Sequence, residues 1–363
     1  MENKLNVVNI ITGTDNGGGG EYVLNICRSN IFKSSLICIG EGDLYCKAIE
    51  QNINVKMLTV KEILSNGLTR YIEENNIDIV IWHGAKGFFI HSIVKKKLTA
   101  KSIATVHSDF NTDFLNNKIK KVIFTKLSYS GLKSFDNYIA VSTEISNLIK
   151  ENFKYDNIFI VRNGIDCNLD KSIKKIHRNE IGLSEDDFVF MNIARLHPVK
   201  NHITLLKGFK ELLKRYSNCK MVLIGGGSEK DKIEDFILAN NLGNSVIMLG
   251  EKKSAVNYLS VCDANILSSI NEGGEPPIVI LEGAIMNKPT LCSDINRLKE
   301  IITEERGYTF DPNDEKSIYI AMESCINDKL REEKAYSFKE YVKLNYSIEK
   351  FYVQYKEIFE KLI

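Results

Sequence analysis

Three glutamates around one short turn are the residues of this 363-residue chain with the clearest potential for polar chemistry. Residues 268–284 read SSINEGGEPPIVILEGA, and Glu272, Glu275 and Glu282 surround a glycine pair and a proline pair. Residues 263–269 predict a short buried strand, and the apolar run after the prolines predicts a helix. Acids at the carboxyl end of a strand lie where open α/β sheets bind ligands. Our working hypothesis is that this turn binds a sugar nucleotide.

Two cations flank a second predicted strand-to-helix turn. Residues 188–193 (FVFMNI) predict a strand, and residues 203–216 predict an amphipathic helix. Arg195 and Lys200 lie between the two elements and face the N-terminus of the helix. Two cations beside a helix N-terminus favour a diphosphate. Surface charges that cap a turn are the alternative, which the position at the ligand edge disfavours.

The first half of the chain has glycines and histidines at the ends of predicted strands. Residues 5–12 predict a buried strand, and the glycine run 17–20 lets the backbone approach a phosphate or an acceptor. The glycines do not have the GxGxxG spacing of a dinucleotide site. His83 and His107 each end a predicted strand. One such histidine is more often a packing residue, but two at the same sheet edge favour a functional role.

The region 95–133 carries nine lysines against two aspartates, with apolar residues between them. A solvated helix face is one interpretation of this pattern. A basic amphipathic surface that meets anionic lipid or an acidic acceptor is the other. The net charge of +1 gives no reason to expect a nucleic-acid partner.

The remaining composition predicts a protein of the reducing cytoplasm, peripheral at most on the inner face of a membrane. The eight cysteines are scattered without a CxxC pair, so buried free thiols are favoured over disulfides or a zinc site. The N-terminal apolar run is too short for a signal peptide, and no run approaches the roughly 18 residues of a membrane span.

Strands and helices alternate along the whole chain, and the pattern restarts after a polar passage at residues 170–187. The alternation predicts an α/β fold with parallel sheets. A chain of this length suggests two domains, each large enough for its own core. We interpret the polar passage as the linker between them.

The ordered motifs resemble those of family 4 retaining glycosyltransferases of the GT-B architecture, over nearly the whole chain. The residues that carry the resemblance are the glycines 17–20, His107, Val141-Ser142, the run 163–166 (NGID), Arg195-Leu196 with Pro198, Lys200 and Asn201, the glycines 225–227, and the acidic turn that ends at Glu282. The spacing of the Arg-Leu-x-Pro-x-Lys-Asn set and the later glutamate makes the resemblance specific.

The resemblance implies two Rossmann-like, doubly wound domains that face each other across a cleft. Residues 1–170 would form an N-terminal acceptor-binding domain, and residues 171–345 would bind the nucleotide-sugar donor. Residues 346–363 would form a helix that crosses back to pack on the first domain.

The resemblance also implies roles for individual residues. Arg195 and Lys200 would hold the phosphates, Glu282 would accept hydrogen bonds from the ribose, and His107 would lie near the donor sugar. The turn is two residues longer than the family pattern, so Glu272 and Glu275 compete for the sugar contact, and Glu272 is preferred because the strand fixes it. The expected catalytic residues are His107, Arg195, Lys200 and Glu272, and the expected donor-binding residues are Gly18, Gly19, Arg195, Lys200, Gly273, Gly274, Glu275 and Glu282.

The implied enzyme is a retaining hexosyltransferase that needs no metal and no cofactor. It would move a hexose or N-acetylhexosamine from a nucleoside-diphosphate sugar, expected to be UDP-linked, to a saccharide or glycolipid hydroxyl in surface polysaccharide synthesis. A nucleotide-sugar epimerase of the same architecture and a catalytically silent scaffold in polysaccharide assembly are the alternatives. The cation pair Arg195 and Lys200 argues against both alternatives, and Glu282 argues further against the scaffold.

Overall fold

The computed structural model of the chain describes residues 4–15, 17–108, 126, 128–153, 155, 157–295 and 298–363. The chain divides into two compact units. Unit 1 comprises Met1–Gly164, Gly273–Glu275 and Ile348–Ile363, and unit 2 comprises Ile165–Glu272 and Pro276–Ser347.

Unit 1 is built on a parallel sheet that has seven strands within the described residues, in the order β3-β2-β1-β4-β5-β6-β7. The strands are β1 (Asn6–Thr12), β2 (Lys33–Ile39), β3 (Val55–Leu58), β4 (Ile79–His83), β5 (Lys101–Val106), β6 (Tyr138–Ala140) and β7 (Ile158–Ile160). The direction of strand progression reverses between β1 and β4. This reversal is a topological switch point, which is where sheets of this kind bind ligands.

Both faces of the unit 1 sheet are buried. Val8 and Ile10 of β1 pack in one apolar cluster, whereas Val7 and Ile11 pack in clusters on the other face. A strand buried on both sides needs a continuous apolar sequence, which explains the run at residues 5–12. The helices whose bounds are described in this part of the chain include α1 (Gly18–Cys27), α2 (Asp43–Glu50), α3 (Val60–Ser65), α4 (Gly67–Glu74), α5 (Gly84–Val94) and α6 (Thr143–Phe153).

Unit 2 repeats this plan with a parallel sheet that has six strands in the described ranges, ordered β10-β9-β8-β11-β12-β13. The strands are β8 (Phe188–Ile193), β9 (Cys219–Ile224), β10 (Val246–Gly250), β11 (Ala264–Leu267), β12 (Thr290–Ser293) and β13 (Tyr308–Phe310). The switch point lies between β8 and β11. Phe190 packs on one face of the sheet, and Val189 and Met191 pack on the other.

The helices that follow in the chain cover this second sheet, except the last one. They are α7 (Leu169–Ser172), α8 (His202–Leu213), α9 (Lys230–Ala239), α10 (Ile278–Ile285), α11 (Leu298–Ile301), α12 (Glu315–Asn327), α13 (Arg331–Tyr346) and α14 (Ile348–Leu362). The apolar residues of α8 and α12 contribute to the larger core of unit 2, which contains Leu205, Phe209 and Met322.

The C-terminal helix α14 is part of unit 1. Its buried aromatic side chains pack on α1, where Tyr22 lies 5.1 Å from Phe351 between ring centroids and receives a hydrogen bond from the Tyr355 hydroxyl at 3.0 Å. Phe359 packs edge-on against Phe32 at 5.1 Å. The predicted α/β class with two Rossmann-like, doubly wound domains is confirmed.

Candidate functional site

The turn after β8 holds both predicted cations of unit 2. Arg195 is exposed, and Lys200 ends a short 3-10 turn (Pro198–Lys200) directly before α8. Asn201 joins the turn to the helix in the left-handed conformation, with φ of 57°, and its side chain donates to the Pro312 carbonyl at 2.6 Å. An asparagine tolerates this backbone conformation better than most residues. The chain is therefore fixed directly after Lys200.

The glycines after β9 let a second loop pack directly on this turn. Gly225 and Gly227 have φ of 152° and 149°. A Cβ at Gly225 would lie 2.0 Å from the Ala194 carbonyl oxygen, and one at Gly227 would lie 2.4 Å from that of Leu196. These glycines are required by the close approach of two backbones, whether or not a ligand binds there.

Lys200 forms an ion pair across the switch point of unit 2. Its Nζ lies 2.5 Å from Oε1 of Glu272, and both side chains are nearly buried, at 15% and 12% exposure. The Ser269 hydroxyl donates to the same carboxylate oxygen at 2.5 Å, and the Ser268 hydroxyl donates to the Lys200 carbonyl at 2.8 Å. The end of β11 and the turn after β8 are therefore joined by polar side chains at the position expected for a ligand site.

The cations also act on two neighbouring histidines. Burial, and then the charge of Lys200, lowers the pKa of His202 to about 4. The pKa of His197 is lowered by burial first, with contributions from Arg195 and Lys200 that outweigh the opposing charge of Glu229. Both imidazoles are therefore neutral at physiological pH, and the charge of this turn comes from the two cations.

Glu282 lies on α10, the helix that follows the turn with Glu272, and is half-buried. The helix packs closely on β11, because a Cβ at Gly283 would lie 2.5 Å from Nδ2 of Asn265. Asn265 in turn donates to the Val279 carbonyl in the first turn of α10 at 3.1 Å. Lys200, Glu272 and Glu282 all belong to unit 2 and follow β8 or β11.

The predicted glycine loop of unit 1 wraps around Asp15. The carboxylate of Asp15 accepts hydrogen bonds from the backbone N–H groups of Gly17 and Gly20, each at 3.1 Å. Gly18 is exposed at the start of α1, and a Cβ there would meet nothing within 4 Å. A Cβ at Gly19 would approach Asp15 Oδ2 to 3.2 Å and the His107 ring to 3.7 Å. The loop and His107 are therefore neighbours.

His107 forms a hydrogen-bonded chain with two residues of the adjacent strands. Its Nε2 lies 2.9 Å from Nδ1 of His83, and His83 Nε2 lies 3.2 Å from Oδ1 of Asn9. Tyr22 of α1 packs edge-on against the His107 ring at 5.0 Å. The structure thus brings together the two strand-end histidines, at the switch point between β1 and β4.

The imidazoles of His83 and His107 are both neutral in the folded protein. Burial lowers the pKa of His107 to about 4, against the opposing charge of Asp15. The pKa of His83 lies well below its usual value because of burial and, to a smaller extent, the neighbouring His107. The sequence analysis missed Asn9 and Asp15. The signal for Asn9 was a polar residue inside an otherwise apolar strand.

The segment Gly273–Glu275 belongs to unit 1. A Cβ at Gly273 would lie 2.1 Å from the His107 carbonyl oxygen, and one at Gly274 would lie 2.6 Å from Nδ2 of Asn163. Glu275 is buried and accepts a hydrogen bond from the Thr143 N–H at 3.2 Å. Its other oxygen lies 3.9 Å from Nε of Arg162. Glu272 and Glu275 are therefore bound to different partners in different units.

The basic region is only partly described, since residues 109–125 and Leu127 lie outside the described part of the chain. Phe89 and Ile93 of α5 are 41% and 53% exposed and lie one turn apart. The following lysines, 95–97, are all exposed. Helix α5 therefore presents apolar side chains next to a cluster of positive charge.

The described residues offer neither a membrane-spanning helix nor a cluster suited to a metal. Every helix in these ranges is too short or too polar to cross a bilayer. In the same part of the chain, no three His, Cys, Asp or Glu side chains are grouped as metal ligands would be. The eight cysteines are free and five are buried, which confirms the prediction of free, mostly buried thiols.

Two family models match successive parts of the chain. Residues 57–169 match the model described as Glycosyltransferase Family 4, and residues 173–344 match the model described as Glycosyl transferases group 1. The two matches meet within the polar passage between residues 169 and 173. The chain is a glycosyltransferase of the GT-B type, similar to family 4 and group 1, which confirms that much of the class predicted from the motifs.

Individual relatives agree with this class. An uncharacterized glycosyltransferase of Methanocaldococcus jannaschii is 27% identical over 242 residues, which span 62% of this chain and 58% of that protein. The UDP-Gal:alpha-D-GlcNAc-diphosphoundecaprenol alpha-1,3-galactosyltransferase of Escherichia coli is 24% identical over 322 residues, or 82% of this chain and 81% of that protein. The crystal structure of Anabaena Alr3699/HepE in complex with UDP and glucose shares the fold with a TM-score of 0.82 at 16% identity, covering 98% of this chain and 99% of that one.

Proposed function

We propose that this enzyme is a retaining, metal-independent glycosyltransferase. It moves a hexose or N-acetylhexosamine from a nucleoside-diphosphate sugar, UDP-linked, to a hydroxyl of a saccharide or glycolipid acceptor in surface polysaccharide synthesis. The observation that carries the proposal is the cationic turn of unit 2, in which Arg195 and Lys200 precede the N-terminus of α8. Negative charge builds on the diphosphate as the glycosidic bond breaks, and fixed cations with helix N–H groups stabilise it.

The other residues have distinct roles in this proposal. Unit 2 binds the donor, with Glu282 accepting hydrogen bonds from the ribose and Glu272 contacting the sugar. We prefer Glu272 to Glu275 because Glu275 is 4% exposed and its carboxylate accepts a hydrogen bond from the Thr143 N–H. Unit 1 binds the acceptor and contributes His107 near the donor sugar.

The backbone supplies the remaining donor contacts of the proposal. The N–H groups of Gly18 and Gly19 at the start of α1, and those of Gly273 and Gly274, would meet the sugar or its phosphates. The complexes of the Anabaena relative with UDP and the UDP-Gal donor of the Escherichia coli relative support a uridine nucleotide.

Incubation with a panel of nucleotide sugars tests the proposal directly. With a lipid-linked saccharide extract as acceptor, at least one UDP-sugar should release UDP, and the product should keep the anomeric configuration of the donor by NMR. EDTA should leave the rate unchanged. An inverted anomer would contradict retention, and a loss of activity that magnesium restores would contradict metal independence. No transfer from any donor would refute the function itself.

We further propose that α5 and the lysines after it bring the enzyme to an anionic membrane. Apolar side chains beside a lysine cluster fit a surface in which the apolar side chains enter the lipid and the cations meet the headgroups. The Escherichia coli relative has an undecaprenyl-linked acceptor in its name, which supports a lipid-linked acceptor here.

Flotation with vesicles tests this surface. The protein should float with vesicles that contain anionic lipid and remain in solution with neutral ones. Phe89→Ser combined with Ile93→Ser should abolish flotation, whereas Leu238→Ser, at a position in unit 2 that is 79% exposed, should not. Equal flotation of the two variants would exclude α5 as the contact.

A further inference from the structure

A buried polar row crosses three neighbouring strands of unit 1 at its switch point. Asn9 lies in β1, His83 ends β4, and His107 follows β5. Asn9 and His83 are fully buried. The two histidine rings lie 5.2 Å apart between centroids and are nearly parallel, at 26°. Polar side chains in such surroundings must satisfy one another, so the direction of each hydrogen bond follows from its partners.

The orientation of the Asn9 amide decides the first bond. Its Nδ2 faces the Ser35 carbonyl oxygen at 3.4 Å and the Ser34 hydroxyl at 3.0 Å. A carbonyl oxygen only accepts, so the amide nitrogen must be on that side and Oδ1 must face His83. Because Oδ1 can also only accept, Nε2 of His83 carries a proton and donates to it at 3.2 Å.

The tautomer of His107 then follows from that of His83. A buried imidazole that is neutral has one proton, and in His83 that proton is on Nε2. Its Nδ1 is therefore an acceptor and must receive the proton of His107 Nε2, 2.9 Å away. In a neutral His107 this leaves Nδ1 with a lone pair.

We propose that Asn9 and His83 are positioning residues that hold His107 in the Nε2–H tautomer, so that its Nδ1 accepts a hydrogen bond from a sugar hydroxyl. The inference rests on the proposed function for the identity of the ligand, although the tautomer does not depend on it. His107 then acts as a neutral acceptor that orients the sugar, and it does not transfer a proton.

The groups around His107 agree with a neutral acceptor. His83 faces it from β4, Tyr22 faces it from α1, and Asp15 lies beside it in the glycine loop. The Asp15 carboxylate is already bonded to the N–H groups of Gly17 and Gly20. The hydroxyl of Tyr22 donates to the Val161 carbonyl at 3.0 Å. Only His83 forms a direct hydrogen bond to the His107 ring among the described residues.

Long-range proton–nitrogen NMR spectra of the unliganded protein test the tautomer without any substrate. At pH 7, His83 and His107 should both show the pattern of an imidazole protonated on Nε2 alone. Spectra of His107→Asn assign the His107 signals. An Nδ1–H or doubly protonated His107 would overturn the proposal.

Two variants at His83 test whether the positioning matters for transfer. His83→Asn keeps an acceptor close to the position of Nδ1, whereas His83→Leu removes it. We expect His83→Leu to lower kcat about tenfold or more, by analogy with the loss of a hydrogen-bond partner behind a metal-bound histidine, and His83→Asn to recover most of that loss. Equal losses in both variants, at matched melting temperatures, would contradict a positioning role. A wild type that transfers sugar from no donor would instead refute the proposed function.

Discussion

The switch points of the two sheets have the same topology, but the one in unit 1 is joined by neutral groups and the one in unit 2 by charged groups. In unit 1, Asn9 and His83 join β1 to β4 through a neutral hydrogen bond. In unit 2, Lys200 and Glu272 join the turn after β8 to the end of β11 through an ion pair. Parallel α/β topology therefore determines where a ligand binds, while the side chains determine what charge it carries.

The two switch points are suited to ligand groups of different charge. A neutral imidazole with one lone pair is suited to a sugar hydroxyl, because it offers direction without attracting phosphate. Lysine and arginine before a helix N-terminus are suited to a diphosphate. Glu272 keeps Lys200 in place by pairing with it in the unliganded protein, at a nearly buried position.

The largest predicted effect comes from removing the positive charge of Lys200 in unit 2. Lys200→Ala should cost about 2–4 kcal/mol of transition-state stabilisation, the range for one preorganised donor at a developing negative charge. Steady-state measurement of kcat/KM with the best UDP-sugar checks this value. Lys207→Ala is the matched control, since that lysine is 49% exposed and pairs with Glu315 at 3.5 Å on the protein surface. Unchanged turnover in Lys200→Ala would refute the diphosphate site.

Loss of Lys200 also removes the cation that pairs with Glu272, and a loss of stability from this change would imitate a catalytic effect. The double variant Lys200→Ala with Glu272→Gln also removes the carboxylate charge. We expect it to regain the melting temperature but not the activity. Recovery of both would show that the ion pair serves folding alone.

The second predicted effect is a difference in acid sensitivity between the two units. The pKa values of His83, His91 and His107 in unit 1 are all lowered by burial, to about 3 for His91 and about 4 for His107. In unit 2 only His202 reaches about 4, and that of His197 is lowered to a lesser extent. Unit 1 therefore holds more neutral histidines that become protonated on unfolding.

The sign of the effect follows from proton linkage. Between the unfolded pKa near 6.5 and the folded values, the unfolded state binds more protons, so stability is present above pH 6.5 and is lost as the pH falls. From pH 6.5 to 5.5 the free energy of unfolding of unit 1 should fall by on the order of 1–2 kcal/mol more than that of unit 2. Hydrogen exchange of β4 and β9 at both pH values, corrected for intrinsic rates, measures it. A steeper fall in unit 2 would contradict the prediction.

The sequence was sufficient for β1, β8 and the two cations, because each depends on local pattern, but the short strand β13 (Tyr308–Phe310) was not predicted. Continuous apolar runs predicted β1 and β8, and Arg195 and Lys200 stood out beside a helix start. The partners of those residues were not predictable in the same way. That Glu272 pairs with Lys200, while Glu275 is held by Thr143, depends on how distant segments pack.

The hydrogen-bond partners of the two histidines were likewise not predictable from local sequence. His83 and His107 were recognised because each ends a strand, but Asn9 was read only as part of an apolar run. Its role requires the register in which Asn9 pairs with Ile81 of β4 and His83 pairs with Thr105 of β5. Register within this sheet is a tertiary property, since β1 and β4 are apolar on both faces.

The smallest predicted change in stability, that of Gly18→Ala, helps to separate the two possible reasons for the glycine loop of unit 1. A Cβ at Gly18 meets open space, so Gly18→Ala should change the free energy of unfolding by less than about 1 kcal/mol. A Cβ at Gly20 would lie 2.7 Å from the Asp15 carbonyl oxygen, so Gly20→Ala should destabilise unit 1 by about 1–3 kcal/mol. If the loop binds a ligand, Gly18→Ala should lower kcat/KM several-fold at an unchanged melting temperature. A variant with wild-type kinetics would show that the glycines serve packing around Asp15, and ligand recognition by unit 1 would then not depend on this loop.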